Sequence, residues 1–577
     1  MASPTLASSS TARPTLRPSK LLLELFRPEG REIRTLILFS TVIGLLTLVT
    51  PLAVESLVNT VAFVGLLQPI VVLAIVMLTC LGLAAILLAM EAYLVELIQR
   101  RLFARVVSTL MRRLPRTQGS ALDGDHGPEL ANRFFELPIL QKVGAKLLLD
   151  GLTVVLSAAV GLIVLAFYHP LLLAFGLVLV ALLGVVVFVV GRGAVPTALD
   201  ESSAKYRNGD WAEQLLRHTG VFRSGRGTEF AAQHGDALAT EYLERRSGHY
   251  RLLFRQLAGA LMLQAVMSTL LMGLGGWLVT INQLTLGQLV AAWLIVGIVL
   301  SAVTKLGAQL ESFYDILASS KKLGVLLELP TVRDNGQPLP GRGPLRLGLS
   351  DLRHPRIAGG RRLQANLEPG QSLAVLGGGG SGKSTLVEVL MGQRDPEAGF
   401  VEVDAVHLSV VQLDSLREQS QVVLSGDVFA GSVLDNLLLG RDDVDLDRIR
   451  EALEAVGLWD QVQRLPDALD CQLSSGGAPL SSSQADQLVL ARALIAQPRL
   501  LVIDGVLDRF EGEQLRRLNR FLHDPQAPWT LVLATQRSTI AASCDAVLPL
   551  DAEGGRRSAS LQAVPTNSDS LTEEVES

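Results

Sequence analysis

The sequence contains little cysteine and little charge. Three of its 577 residues are cysteines, Cys80, Cys471 and Cys544, and they are scattered without the C-x-x-C spacing of a metal or redox site. We therefore predict no metal site built on cysteine and no framework of disulfide bonds. Charged residues make up 19% of the chain and its formal net charge is -5, which argues against nucleic acid as a partner.

Apolar residues are abundant instead, and the mean hydropathy of the chain is +0.37. Six apolar segments are each near or above the ~20 residues that a helix needs to cross a bilayer. Buried helices of a soluble core are the alternative, but the length and the number of these segments argue against it. The six predicted spans are residues 35–60, 69–95, 149–168, 170–191, 257–281 and 285–306.

The distribution of basic residues predicts the orientation of these spans. Short linkers join spans 1 and 2, 3 and 4, and 5 and 6, and none of them carries lysine or arginine. Because basic loops stay on the cytoplasmic side, the N-terminus is predicted to be cytoplasmic in a multi-pass cell (inner) membrane protein, and the domain after the sixth span lies there too. The basic residues before the first span are Arg13, Arg17, Lys20, Arg27, Arg31 and Arg34.

The ends of the chain have no pattern of a folded domain. Residues 1–19 are rich in serine, threonine and proline, and they lack the apolar core and cleavage site of a secretory signal. We predict a disordered tail there, followed by a short amphipathic helix at Leu21–Phe26 that lies on the membrane surface. Residues 552–577 are acidic and predict a second disordered tail.

Two charged segments between the spans have helical patterns and are long enough to extend well beyond the membrane. Their candidate tips, residues 129–136 and 216–222, contain apolar side chains that would be exposed unless another domain covers them. We predict that these tips touch a cytoplasmic motor domain. Solvated loops are the alternative.

One carboxylate falls inside an apolar segment. Glu55 lies within the first predicted span, and an ionisable residue at such a position is a candidate for function. The alternative is a residue at the outer end of the helix that reaches water. The sequence leaves both readings open.

A glycine-rich stretch follows the apolar run Ser372–Leu376 and precedes a helix-patterned run, with the spacing G-x4-G-K-S of a phosphate-binding loop. Glycines let backbone N–H groups converge on phosphate oxygens, and the start of a helix adds a favourable dipole. Lys383 would reach the β and γ phosphates of a nucleotide, and the hydroxyl of Ser384 would bind Mg²⁺. A chance glycine-rich turn is the alternative, which the flanking strand and helix patterns disfavour. The predicted nucleotide-binding residues of this loop are Gly377, Gly378, Gly379, Gly380, Ser381, Gly382, Lys383, Ser384 and Thr385.

These patterns predict a multidomain membrane protein. A six-helix, all-α transmembrane domain occupies residues 20–326, and a linker rich in proline and glycine follows at 327–345. From there the patterns of strand and helix alternate, which predicts an α/β P-loop nucleotide-binding domain at 346–551.

Six spans with long extensions, followed by a P-loop domain, resemble a half-transporter of the ATP-binding cassette (ABC) exporter superfamily over about residues 20–550. The run Gly275–Leu289 is similar to the region between the last two spans in the type I secretion and peptide-exporter branch. The resemblance implies a type I ABC exporter-like fold, with ATP and Mg²⁺ as cofactors. It also implies a second half-transporter as partner, because in this family each ATP lies between the P-loop of one subunit and the signature helix of the other.

The resemblance also implies roles for positions outside the P-loop. His354 would stack on adenine, less well than the tyrosine of the family, and Asp504 would hold Mg²⁺ through water. Gln536 occupies the place of the switch histidine and would still hydrogen-bond the γ-phosphate. Ser481 and Gln484 are retained from the signature motif L-S-G-G-Q.

Other family positions have changed. The residue after Asp504, a glutamate that polarises the attacking water in the family, is Gly505. Ser482 and Ser483 replace the two glycines of the signature motif. The family has a glutamine that senses Mg²⁺ near the positions of Leu424 and Ser425, and neither of these residues is glutamine.

The loop that crosses to the other subunit is also shorter, because Asp504 and Asp508 are four residues apart where the family has seven. Loss of a positioned general base typically lowers a rate by roughly 10²–10⁴-fold. We therefore assign no catalytic residue, and we predict ATP binding with little hydrolysis at this P-loop.

Two hypotheses of function follow. In the first, the chain is the hydrolysis-impaired subunit of an asymmetric exporter that moves a peptide, protein or lipid-like substrate out of the cytoplasm. A homodimer remains open, and a periplasmic adaptor protein would have to contact the spans or their outer tips. In the alternative, the chain is a membrane-embedded ATP-binding regulator or scaffold that does not itself transport. A polar membrane cavity would favour transport, and Glu55 is its clearest candidate residue.

Overall fold

The computed structural model describes residues 18–61, 67–122, 130, 132–333, 335–550, 558–560 and 562–563. The chain forms two compact units. One consists of Met1–Pro115 and Gly124–Leu329, and the other of Arg116–Asp123 and Pro330–Ser577. The division at Leu329 falls inside the predicted linker.

The first unit is helical. Its α-helices are α1 (Pro18–Phe26), α2 (Gly30–Thr47), α3 (Val49–Val61), α4 (Leu67–Arg113), α5 (Glu136–Lys146), α6 (Leu152–Tyr168), α7 (Pro170–Gly184), α8 (Ala194–Arg217), α9 (Thr219–Phe222), α10 (Gly225–Thr280) and α11 (Leu286–Leu327). Short 3-10 or π segments join or extend them at Arg27–Glu29, Leu114–Arg116, Gly119–Leu122, Arg133–Phe135, Leu147–Gly151 and Val185–Val190.

Much of this unit is long and apolar enough to cross a membrane. Five stretches within the described residues meet that criterion: Lys20–Asn59, Gln68–Arg116, Arg133–Tyr168, Pro170–Val190 and Gly225–Thr280. The sixth predicted span, 285–306, falls on α11, whose described apolar stretch is the shorter Leu286–Val299. The chain is therefore a multi-pass membrane protein, and the sixth span stays a prediction.

The α-helix of the first span is interrupted at Leu48, between α2 and α3. Proline at position 51 explains the interruption, because Pro51 has no N–H to donate and its ring clashes with the carbonyl four residues earlier, that of Thr47. The helix resumes at once, since the N–H of Leu52 donates to the carbonyl of Leu48 at 3.2 Å.

The predicted membrane-surface helix exists as α1, but it packs against α11 instead of lying on the membrane surface. Leu21 is buried, and its Cδ2 is so close to Gly324 of α11 that a Cβ there would lie 2.8 Å away. Gly324 is some 25 residues beyond Val299, or about 38 Å along a helix. The prediction was wrong because an amphipathic pattern does not distinguish a membrane surface from a neighbouring helix.

Glu55 lies near the short turn between α6 and α7. The hydroxyl of Tyr168, the last residue of α6, donates to Oε2 of Glu55. His169 in the same turn is 3.0 Å from Oε1 of Gln283, which lies in the linker after α10. These contacts place Glu55 at the end of a span and support the second of the two readings of this residue.

A buried ion pair joins three helices in the extensions of this unit. Lys322 Nζ of α11 lies 3.6 Å from Oε1 of Glu136 in α5 and 3.2 Å from the ring centre of Tyr206 in α8, whose hydroxyl donates to the same carboxylate. Burial lowers the pKa of Lys322 to about 8, and the charge of Glu136 opposes that shift. Burial and the hydrogen bond to Glu136 raise the pKa of Tyr206. The cluster therefore depends on both charges being present.

The second unit contains the strands. The strands are β1 (Leu347–Arg353), β2 (Arg362–Leu367), β3 (Ser372–Leu376), β4 (Ala398–Val403), β5 (Val406–His407), β6 (Ser420–Leu424), β7 (Gly431–Ser432), β8 (Gln472–Leu473), β9 (Leu500–Asp504), β10 (Thr530–Thr535), β11 (Ala546–Pro549), β12 (Ser558–Ser560) and β13 (Gln562–Ala563). Strands β12 and β13 fall within the stretch that was predicted as an acidic tail. A six-stranded sheet has the order β13-β11-β3-β10-β9-β6, and a five-stranded sheet has the order β12-β2-β1-β4-β5.

Helices cover the six-stranded sheet. They are α12 (Lys383–Leu390), α13 (Leu413–Gln419), α14 (Val433–Leu438), α15 (Leu446–Val456), α16 (Trp459–Gln463), α17 (Ser482–Ile495), α18 (Gly512–Leu522) and α19 (Ser538–Ala541). Strands β11, β3, β10, β9 and β6 pair in parallel, and their apolar side chains are buried. Continuous apolar runs are expected where helices cover both faces of a sheet. The predicted α/β layer is confirmed.

Removal of one charge from the cluster around Lys322 should destabilise the helical unit strongly. Glu136→Ala leaves a buried ammonium without its partner, which typically costs about 3–5 kcal/mol. The matched control is Glu241→Ala, which breaks the exposed pair between Arg207 and Glu241, 2.5 Å apart, and should cost at most about 1 kcal/mol. The measurement is the thermal unfolding midpoint of each variant in detergent.

A double variant completes the test. Glu136→Leu combined with Lys322→Met removes both charges and should recover most of the loss, since apolar residues often replace a buried pair without penalty. Equal midpoints for Glu136→Ala and Glu241→Ala would show that the cluster does not hold the helices together.

Candidate nucleotide-binding site

The predicted phosphate loop leaves the carboxyl end of β3 and leads into α12. Gly380 and Gly382 have φ of 80° and 96°, in the left-handed region that favours glycine. A Cβ at Gly382 would lie 2.1 Å from the carbonyl oxygen of Arg356, so no other residue fits there. The glycines therefore serve both the turn of the loop and its close packing against the segment after β1.

Lys383 lies inside this loop. Its side chain is buried, and its Nζ donates to the carbonyl oxygens of Gly377 and Gly378 at 2.6 and 2.7 Å. The ammonium is thus held at the centre of the loop, where the phosphates of a nucleotide would become its partners.

The hydroxyl groups of the loop also fit a phosphate. The Oγ of Ser381 is buried without a hydrogen-bond partner in the described part of the chain. Ser384 is exposed on the first turn of α12, and Thr385 beside it is half-buried. A buried hydroxyl costs free energy unless it is paired, so an oxygen-rich ligand would stabilise this loop.

His354 follows β1 and lies half-buried. Its Nδ1 accepts a hydrogen bond from the N–H of Arg356 at 3.2 Å, and nearby Ala358 donates its N–H to the carbonyl of Ser381 at 2.9 Å. The segment that carries His354 is therefore joined to the phosphate loop. Burial, together with the charges of Arg394 and Arg356, lowers the pKa of His354, so its ring is neutral at pH 7 and suited to stacking on a base.

Asp504 reaches the same edge of the sheet from β9. In the parallel register, Ala534 pairs with both Asp504 and Val375, so the end of β10 lies between Asp504 and the phosphate loop. Side chains at the carboxyl ends of parallel strands meet at one edge, where ligands bind in such sheets. The structure thus brings Asp504 and the phosphate loop together as predicted.

The backbone turns sharply directly after Asp504. Gly505 has φ of 69°, and its N–H donates to the carbonyl of Ala534 at 2.9 Å. A Cβ at Gly505 would meet open space, but the left-handed backbone would strain any other residue by about 1–2 kcal/mol. This position therefore differs from a glutamate site in its backbone as well as in its side chain.

The shortened loop places Asp508 against the switch turn. The carboxylate of Asp508 accepts from the hydroxyl of Thr535 and, at 2.9 Å, from the N–H of Gln536. The side chain of Gln536 is exposed. Asp508 thus fixes the backbone of the switch turn and leaves the Gln536 side chain available to a ligand.

The altered signature motif starts helix α17. Ser481 and Gln484 form a reciprocal capping box, in which the N–H of Ser481 donates to Oε1 of Gln484 at 2.8 Å and the N–H of Gln484 donates to Oγ of Ser481 at 3.3 Å. Within the described residues these side chains bond to each other and not to the phosphate loop. A ligand at Ser481 and Gln484 would therefore have to come from outside this site.

One buried acid near the site has no signal in the local sequence pattern. Asp486 of α17 is fully buried, and its Oδ1 accepts from the hydroxyl of Ser425 at 2.9 Å and from the N–H of Gly426 at 3.0 Å. Arg509 donates to its Oδ2 at 3.3 Å. Asp486 thus ties the segment after β6, which lacks the expected glutamine, to α17 and to the residue after Asp508.

Sequence reasoning also missed a segment from the N-terminal half that belongs to this unit. Arg116 pairs with Asp414 at 2.6 Å, and the N–H of Gln118 donates to the carbonyl of Pro330 at 2.9 Å. Gly119 lies close to the end of α12, since its N–H donates to the carbonyl of Gln393 at 3.3 Å. The stretch precedes the predicted tip at 129–136, of which residues 130 and 132–136 are described.

With this geometry established, comparisons with known proteins identify the fold. Residues 361–507 match the family model described as ABC transporter. The structure of a bacterial Atm1-family ABC exporter with ATP bound superposes with a TM-score of 0.79, at 17% identity, over 90% of this chain and 93% of that one. The chain has the ABC exporter fold, which confirms the predicted fold class, and a match to this domain implies ATP binding.

Curated relatives match over about half of the chain. The ATP-dependent lipid A-core flippase of Thiobacillus denitrificans is 31% identical over 286 residues, which are 48% of either chain. The multidrug resistance-like ATP-binding protein MdlA of Escherichia coli is 29% identical over 44% of either chain. The alpha-hemolysin translocation ATP-binding protein HlyB of Proteus vulgaris is 26% identical over 51% of this chain and 42% of its own. This chain thus matches no more than about half of each of these relatives.

Stacking on His354 should contribute to nucleotide affinity. His354→Ala should weaken ATP binding about tenfold, since one base on one aromatic ring is worth about 1–3 kcal/mol, whereas His354→Tyr should strengthen it. The matched control is His407→Ala, because Nδ1 of His407 accepts the N–H of Ser409 at 3.1 Å, the same local contact as at His354. Binding is measured by calorimetry with ATP and with inorganic tripolyphosphate, which has no base.

The two ligands separate stacking from loop damage. Tripolyphosphate affinity should not change in His354→Ala. If both ligands lose affinity equally, the histidine supports the phosphate loop and does not contact the base.

Proposed function

We propose that this chain is the ATP-binding, hydrolysis-impaired half of an ABC-type exporter. One combination supports the proposal. A complete phosphate loop, with Lys383 bonded inside it, lies beside an Asp504 that is followed by a left-handed glycine and not by a glutamate. The first part holds nucleotide, and the second lacks the carboxylate that would activate water.

The residues of the site have distinct tasks in binding. Lys383 exchanges its two carbonyl partners for the β and γ phosphates, and His354 stacks on adenine. Ser384 and Asp504 hold Mg²⁺, which neutralises phosphate charge when bound. Gln536 contacts the γ-phosphate by a hydrogen bond, but it cannot carry a proton.

Asp508 does not take the place of the missing glutamate. Asp508 is the next carboxylate along the chain, and both of its oxygens already accept hydrogen bonds, from Thr535 and from the N–H of Gln536. It holds the switch turn and does not face water as a free base. Hydrolysis at this site should therefore be slow even when ATP is bound.

A second half-transporter completes the assembly. Ser481 and Gln484 cap α17 and would face the γ-phosphate of the ATP in the partner, beside the serines at 482 and 483. These serines add bulk where backbone must approach, so the partner site is slowed as well. A different partner with a complete set of motifs is favoured over a second copy, because a homodimer would combine two impaired sites.

Exposed apolar side chains at the ends of the extensions support coupling to a motor domain. Leu216 is 80% exposed and Val221 is 69% exposed, although Phe222 packs on Trp211 with ring centres 5.6 Å apart. In the other predicted tip, Phe134 packs on Phe103, whereas Phe135 is 64% exposed. Some apolar side chains of each tip thus pack within the helical unit. A nucleotide-binding domain would cover those that are exposed.

The direction and the cargo are proposed by analogy with the relatives. The relatives include a lipid A-core flippase, a multidrug resistance-like protein and a hemolysin translocation protein. A peptide, protein or lipid-like substrate would leave the cytoplasm, with the N-terminus and the nucleotide-binding domain on the cytoplasmic side of an inner membrane. A periplasmic adaptor would meet only short linkers, such as the turn at Tyr168–Pro170, and the ends of the spans.

ATP turnover tests this proposal directly. The purified chain in nanodiscs should retain ATP but hydrolyse it at less than about a hundredth of an ordinary transporter rate. Lys383→Ala should abolish ATP retention, and Lys321→Ala, which removes an exposed lysine, is its control. Turnover should appear when a different subunit that co-purifies is present.

Each outcome is decisive. Ordinary hydrolysis by the chain alone would show that another residue replaces the missing glutamate. A nucleotide-dependent change in a bound partner without movement of any cargo would favour the regulator or scaffold instead. If the Lys383→Ala variant still retained ATP, the phosphate loop would not be the part of the chain that binds the nucleotide.

Restoring a glutamate should recover little hydrolysis. Gly505→Glu forces an L-residue to a φ of 69°, and the switch position and the shortened loop remain altered. We expect less than a tenfold gain in phosphate release by the chain alone. The matched control is Gly505→Ala, which imposes the same backbone strain without a carboxylate. A gain of a hundredfold or more in Gly505→Glu alone would mean that the missing side chain is the main defect.

A further inference from the structure

One side of α10 carries two aromatic rings and two arginines within six residues. Tyr250, Arg251, Phe254 and Arg255 have the spacing i, i+1, i+4 and i+5, which places them on one face of a helix. Tyr250 is 58% and Phe254 55% exposed, with ring centres 6.2 Å apart. Together with Gly248 these residues line an open recess of about 440 Å³.

The opposite side of the helix fixes the depth of this patch. Gln256 is buried, and its Nε2 donates to the carbonyl of Val187, near the end of the stretch Pro170–Val190. Residues 250–255 thus extend at most about 9 Å past the end of a span. The headgroup layer on each side of a bilayer is about 5–8 Å thick. The patch is therefore at headgroup level.

Exposed apolar side chains continue along α10 on the membrane side of the patch. They include Leu261 at 45%, Met262 at 68%, Val266 at 48% and Leu270 at 55% exposure. The apolar surface is thus followed by a short belt in which aromatic and basic residues alternate, a composition typical of a helix that passes from acyl chains into headgroups.

The two arginines differ from those one turn further along the extension. Arg245 lies 3.6 Å from Asp200, and Arg246 lies 2.6 Å from Glu201. Arg251 and Arg255 have no ion pair with a carboxylate anywhere in the described chain, although Nε of Arg251 donates to the carbonyl of Ser247 at 3.3 Å. The change from paired to unpaired arginine coincides with the headgroup level.

We propose that this patch binds the phosphate-bearing headgroup of an anionic phospholipid. The guanidinium groups of Arg251 and Arg255 match the phosphate oxygens, which arginine binds with two parallel hydrogen bonds. Phe254, the aromatic ring nearer to the apolar surface, lies against the glycerol of the lipid, and Tyr250 lies further out among the headgroups, since aromatic side chains are favoured at this interface. The lipid is a fixed neighbour of α10 and not transported cargo.

Photocrosslinking of the full chain identifies what covers the patch. Phe254→p-benzoylphenylalanine keeps an aromatic ring at the patch, and the chain is placed in nanodiscs of phosphatidylglycerol and phosphatidylcholine. We expect a covalent adduct with phosphatidylglycerol, detected by mass spectrometry. The control is Phe230→p-benzoylphenylalanine, since Phe230 is 57% exposed on the same helix but far from the membrane, and it should form no lipid adduct.

Charge variants then test the arginines. Arg251→Gln with Arg255→Gln should lower the phosphatidylglycerol adduct about tenfold, because each basic residue near an anionic surface contributes several-fold to lipid preference. Arg112→Gln with Arg226→Gln removes two exposed arginines away from the membrane and should leave the adduct unchanged. Retention of phosphatidylglycerol by the chain with Phe254 in place, measured by native mass spectrometry, should fall in parallel.

Three results would overturn the proposal. A crosslink from position 254 to a second protein chain would show that a partner subunit covers the patch. Equal yields of the adducts with phosphatidylglycerol and phosphatidylcholine would show that the patch contacts lipid without a preference for the anionic headgroup. An adduct that survives the loss of both arginines would show that they do not recognise the headgroup.

Discussion

The nucleotide-binding unit depends on the parallel register of three strands. Val375, Ala534 and Asp504 are aligned across β3, β10 and β9, so the chain leaves all three strands at one edge. Neighbouring strands are about 4.8 Å apart, and the backbone hydrogen bonds of the sheet therefore hold the phosphate loop, the switch turn and Asp504 close together. The side chains at that edge can change while the site keeps its shape. This is how a site of the proposed kind can keep the geometry for nucleotide binding without a glutamate after Asp504.

The residues of the phosphate loop and the residue after Asp504 differ in how tightly their surroundings restrict them. Lys383 and the glycines around it are fixed by close contacts that admit no substitute, such as that between Gly382 and the carbonyl of Arg356. Gly505 faces open space, so no packing contact restricts the side chain at this position. Where the resemblance implies a glutamine that senses Mg²⁺, the segment at Ser425 is bonded to the buried Asp486. The phosphate loop is thus fixed by packing, whereas the position after Asp504 is not.

The sequence predicted the parts of this structure that depend on local pattern. Apolar length located the spans, and the spacing of glycines and Lys383 located the phosphate loop with its strand and helix. Contacts between distant segments had no local signal. Nothing in the spacing of Leu21 distinguished a lipid surface from Gly324, and nothing around Asp486 marked it as the acid that joins three segments. The interruption at Leu48 lies between these cases, because Pro51 is visible in the sequence but the apolar run around it continues without a break. The backbone conformation was also not predictable from the sequence. The glycine at position 505 indicates that a side chain is absent, but it does not reveal that the backbone is left-handed there.

The segment from Arg116 to Leu122 has a consequence for the time course of biosynthesis. It is made early, yet Asp414, the partner of Arg116, follows it by 298 residues. At roughly 5–20 residues per second, the ribosome adds that partner about 15–60 s later. The second unit is therefore not a simple C-terminal domain that folds when the last residues emerge. It packs against a segment that is made before most of the helical unit, so this segment must stay accessible until its partners have been made.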